Sequence, residues 1–93
     1  MKAWELLSDI NHWTHHEYAR TKDGNPTTPC SNDAESWCAT GAIIKCYAGS
    51  HDHNNQYYKA NQIAFTRHGS SISTVNDELG YDAVMAILRE SDV

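Results

Sequence analysis

Ser36-Trp37-Cys38-Ala39-Thr40-Gly41-Ala42-Ile43 is the stretch whose reading decides the fold. Taken at 3.6 residues per turn, Trp37, Cys38, Gly41, Ala42 and Ile44 bring small and bulky side chains onto one helix face. Gly41 stands out among them. A glycine inside a helix costs about 1 kcal/mol against alanine, so its position predicts close approach of a neighbouring element. Upstream, Asn32 with Glu35 three residues later reads as an asparagine version of the capping box. The spacing therefore predicts a helix over 33–48, ended by Gly49-Ser50.

Towards the N-terminus, Ala3, Leu6, Leu7, Ile10 and Trp13 follow the i, i+3, i+4, i+7 rule with Glu5, Ser8, Asp9 and His12 between them. That pattern predicts an amphipathic helix over 2–15, extending towards residue 20. Asp23-Gly24-Asn25-Pro26 is a turn signal and Pro29 bars a helix, so 21–32 reads as a long ordered loop. Towards the C-terminus, 56–68 predicts a weaker helix with Tyr57, Ala60, Ala64 and Phe65 as core candidates, closed by Gly69. Asn76 to Gly80 reads as one short turn, and 81–91 as a final helix with Ala83, Val84, Ile87 and Leu88 inward. The expected architecture is all-α: one helical domain over 1–93, a compact bundle of about four helices with a long ordered loop after the first.

The chain has 93 residues and a net charge of −5 from 12 acidic and 7 basic residues. Lys and Arg are nowhere clustered, which argues against a groove for nucleic-acid phosphates. Asp77, Glu78, Asp82, Glu90 and Asp92 against a single Arg89 make the C-terminal end acidic, a surface that suits a basic protein partner. No stretch reads as a signal peptide or approaches the apolar length of a membrane span. Three cysteines without a pair pattern favour free thiols in a reducing compartment, so a cytoplasmic location is expected.

With these positions laid out, the chain resembles a bacterial and phage family, domain of unknown function 6197. The resemblance rests on Trp13, Tyr18-Ala19-Arg20, Asp23-Gly24, Trp37-Cys38-Ala39-Thr40-Gly41-Ala42, Val75-Asn76-Asp77, Gly80 and Val84, in that order along almost the whole chain. The chain departs from the family pattern at His15-His16-Glu17, at Val75 where an aromatic is usual, and at Tyr81. The resemblance implies a small helical domain and a phage or mobile-element association, and it carries no activity with it.

Six histidines invite a metal reading: His12 and His16 at i, i+4 on one helix, His51 and His53 in a loop, and Cys30 as a thiolate. No zinc spacing joins them, so no metal and no cofactor are expected. Cys38, placed well inside a helix, reads as a small core residue and not as a nucleophile activated by a helix N-terminus. Cys46 falls on roughly the same face. Asn76-Asp77 is the most polar part of the pattern, either a contact for a ligand or partner or a cap tying helices together. Arg20 reads as a pair for Asp77 or a phosphate ligand.

The candidate binding residues are therefore Arg20, Asn76, Asp77, Trp13 and Trp37, with no catalytic residue. Two functions follow. The first is a non-catalytic module that binds another protein, including an anti-defence inhibitor of a host effector. The second is a small enzyme or ligand-binding domain using Arg20, Asn76 and Asp77.

Overall fold

A computed structural model of the chain describes residues 1–49 and 52–93. In chain order it contains helix α1 (Ala3–Leu6), a 3-10 turn (Ile10–His12), strands β1 (Ala19–Thr21), β2 (Pro26–Thr27) and β3 (Ala34–Trp37), and helices α2 (Ala39–Tyr47), α3 (His53–His68), α4 (Ile72–Glu78) and α5 (Tyr81–Ser91). The expected all-α bundle of four helices is thus overturned. A three-stranded antiparallel sheet, ordered β2-β1-β3, occupies the space given to the end of the first helix, the long loop and the start of the second.

The error lies in the opening stretch. Asn32 and Glu35 do not cap a helix, because the segment before them closes on itself as a turn. Ser31 N–H donates to the Thr28 carbonyl, Ala34 N–H donates to the Ser31 carbonyl, and Ser31 Oγ accepts from Asp33 N–H. The chain then runs extended through Ala34–Trp37, pairing Ala19 with Trp37 and Arg20 with Ser36. Only at Cys38 does it turn helical. Cys38 is the N-cap of α2, its Sγ accepting from Gly41 N–H at 3.2 Å, the place where Ser or Asp ordinarily serves.

Gly41 does mark a close approach, but to a strand entry and not to another helix. The Tyr18 carbonyl accepts from Cys38 N–H at 3.2 Å, and a Cβ built on Gly41 would lie 1.9 Å from that oxygen. Glycine is the residue that lets the first turn of α2 sit on this backbone.

The predicted first helix also shortens, to Ala3–Leu6. Asp9 accepts from Asn11 N–H and caps the separate 3-10 turn instead of continuing the α-helix. Ala3 and Leu7 of the apolar stripe are buried, whereas Ile10 is exposed. Beyond the turn the chain runs beside β3: Thr14 N–H donates to the Trp37 carbonyl at 3.0 Å, and Trp13 forms a parallel bridge to Trp37.

The C-terminal half follows its apolar periodicity more closely. α3 starts three residues earlier than expected and ends on Gly69 in the left-handed conformation (φ 69°). Ala60 and Ala64 are buried, but Phe65, expected in the core, is exposed. What reads as a short turn at Asn76–Gly80 is the end of α4, capped by Ser71 Oγ on Thr74 N–H. α5 spans 81–91 as expected, burying Val84, Ile87 and Leu88 against Ile43, Ile72 and Val75 of the common core.

Candidate functional site

Asn76 lies on α4 with only 1% of its surface exposed, so each of its polar atoms needs a partner. Its Oδ1 accepts from Trp13 Nε1–H at 2.8 Å and from Ala39 N–H at 2.9 Å. Its Nδ2 donates to the Thr14 carbonyl at 3.1 Å and to Asp77 Oδ1 at 3.2 Å. One side chain thereby joins α4, the first turn of α2 and the segment that flanks β3. A mixed donor and acceptor set of this kind needs an amide, since a carboxylate has no hydrogen to give Thr14.

Asp77 faces outward from the same hub. Its Oδ1 accepts from His16 N–H at 2.9 Å, which holds His16 at φ 67°, a conformation uncommon for any residue but glycine. Its Oδ2 meets the His16 Nδ1 at 3.7 Å, an ion pair only when the imidazole is protonated. The Asp77 side chain keeps 37% of its surface. Around it opens a cleft of about 230 Å³ walled by His16, Glu17 and Tyr18 before β1, Cys38 at the start of α2, and Ser73, Asn76 and Asp77 of α4.

Cys38 thus stands at a helix N-terminus on an open cleft, not deep inside a helix as expected. Its chemistry is still that of a packed thiol. Burial pushes it above the ordinary thiol range, outweighing the Gly41 and Thr40 backbone amides directed at the sulfur, and the Asp77 charge acts in the same upward direction. Cys46, half-buried in α2, is likewise pushed up by burial.

The structure does not bring Arg20 to Asp77. Arg20 Nε donates to Thr14 Oγ1 at 3.0 Å, and its terminal nitrogens donate to the Gly24 and His15 carbonyls at 2.9 and 3.3 Å. It ties the β1–β2 turn to the Thr14–His15 segment. Trp13 and Trp37 are packed residues with satisfied indoles, Trp13 on Asn76 and Trp37 on the Pro29 carbonyl at 2.9 Å. Neither lines the cleft. The described histidines weighed for a metal reading lie apart. His12 and His16 share no helix, and among the described residues no three of His, Cys, Asp or Glu are grouped to hold a metal. His51 lies outside the described residues.

Sequence reasoning did not place His16, Glu17 and Tyr18 on a cleft, because it assigned them to the tail of a helix; it did not single out Ser73, and it read Cys38 as a core residue. It also missed the outer face of α3. There Tyr58 and Phe65, seven residues apart, are 64% and 55% exposed and border a shallow groove with Asn61, Gln62 and Thr66. α3 contains no acidic residue, and its Arg67 is paired with Glu90 of α5.

The family model of DUF6197, a family of unknown function, matches residues 1–91, and the chain belongs to that family. No curated protein and no solved structure matches it. No helix among the described residues is long and apolar enough to cross a membrane.

Proposed function

We propose that the protein is a non-catalytic module that binds another protein, and that the outer face of α3 is its main contact surface. The observation that carries this reading is the exposure of Tyr58 and Phe65 on one face of α3. Folding leaves two large aromatic side chains in water while filling the inner face with Ala60 and Ala64. Aromatic residues are enriched at the centres of protein interfaces, where they bury much area at small conformational cost. α3 itself carries no acidic residue in a chain of net charge −5, which limits like-charge repulsion of an acidic partner there.

The raised Cys38 thiol supports the non-catalytic part of the reading, because a nucleophilic cysteine works as its thiolate.

The test is affinity purification from the native host with the wild-type chain and with a Tyr58→Ser, Phe65→Ser variant. The substitutions are exposed, so the fold should tolerate them within about 0.5 kcal/mol each. The reading expects a protein that co-purifies with wild type and is lost with the variant. Equal recovery of every co-purifying protein by the two chains contradicts it.

A further inference from the structure

We infer that the cleft between the His16–Tyr18 segment and α4 is a binding site for a guanidinium group, the side chain of an arginine in a basic partner. It shares no lining residue with the α3 groove, so the two readings stand or fall separately. Three features select the ligand.

The first is charge. Two carboxylates, Asp77 and Glu17, line the cleft, and no Lys or Arg does. Asp77 Oδ1 is fixed by His16 N–H and Asn76 Nδ2, while Oδ2 meets only the His16 ring at 3.7 Å among the described residues, beyond hydrogen-bond reach. One edge of an oriented carboxylate is thus left for an outside donor.

The second is shape. A cleft of about 230 Å³ is of a size to take a single side chain. The third is the wall itself. Tyr18 is an exposed aromatic ring on the same cleft, a surface on which a planar guanidinium stacks while its fork engages a carboxylate. A lysine ammonium gains less from either feature, being a compact, strongly hydrated point charge. Ser73 Oγ adds a neutral acceptor, placed by its contact with Thr40 Oγ1 at 3.0 Å.

The site is also preformed. Its carboxylate is held by the buried Asn76 network, and His16 is kept in its left-handed conformation by the same carboxylate. Binding there requires little ordering of the protein, which leaves more of the interaction energy for affinity.

The experiment is an NMR titration of the ¹⁵N-labelled full chain with N-acetyl-L-arginine amide. The neutral isostere N-acetyl-L-citrulline amide is run in parallel. Saturable shifts centred on the amides of Tyr18, Ser73 and Asp77 are expected, with a dissociation constant of order 1 mM and about tenfold weaker binding of the citrulline compound. A further arm uses free L-arginine. Tighter binding of the blocked compound assigns the site to a peptide-borne arginine, and tighter binding of the free amino acid assigns it to a small guanidinium metabolite.

Two variants keep the fold and remove charge. Glu17→Gln keeps the size of a half-buried side chain, and Asp77→Asn retains the oxygen that accepts from His16 N–H. Both should weaken arginine binding by several-fold. The inference is overturned if shifts fail to saturate, if citrulline binds as well as arginine, or if Asp77→Asn binds unchanged.

Discussion

Asn76 is the residue on which the site depends. Its amide satisfies an indole N–H, a helix-start N–H and a carbonyl from three separate segments while itself removed from water. Replacing it with leucine, a side chain of similar size, leaves the Trp13 indole, the Ala39 amide and the Thr14 carbonyl without partners. The buried Ala39 amide costs about 1–3 kcal/mol when orphaned, and the half-buried indole and carbonyl add smaller losses. Asn76→Leu should therefore lose about 3 kcal/mol or more in urea denaturation. A loss under about 1 kcal/mol would mean that water or local movement replaces these bonds. Asn76 and Asp77 are legible as candidates through the family resemblance, where they are the most polar part of the pattern. Their division of labour is not, because it depends on His16 and Thr14, some sixty residues away in the chain.

Among the elements, α5 is the most legible, since Val84, Ile87 and Leu88 bury one face of a helix bounded by Gly80 and Asp92. Such a segment needs only its own periodicity to be read. β3 and α2 share an uninterrupted run of residues compatible with one helix, and the boundary between them is set by a cysteine thiol acting as a cap, which the usual cap preferences do not flag. The strands are also two to four residues long, too short for alternation to register against a helical pattern. Gly41 tests the junction. In an exposed helix, glycine to alanine stabilises by up to about 1 kcal/mol. Here the new methyl group would meet the Tyr18 carbonyl, backbone that cannot rotate away. Gly41→Ala should destabilise by about 1–3 kcal/mol in the same denaturation assay. A gain in stability would show that α2 does not sit on the strand entry.

Across the whole molecule, the sheet explains why the first third of the chain misleads a helical reading. Trp13 and Trp37 are spaced as helix-face residues in their own segments, yet they meet side by side through a strand bridge. Long-range pairing of this kind leaves no local periodicity, whereas the helices of the C-terminal half carry their pattern in neighbouring residues. The same pairing sets Tyr18 and His16 against α4 and so creates the cleft; a four-helix bundle has no such surface. The most direct test is a nuclear Overhauser spectrum of the full chain over residues 18–48. Cross-strand contacts joining Ala19 with Trp37 and Arg20 with Ser36, with helical amide–amide contacts beginning only after Cys38, are the predicted result. An unbroken series of helical contacts from Asp33 to Tyr47 would contradict it.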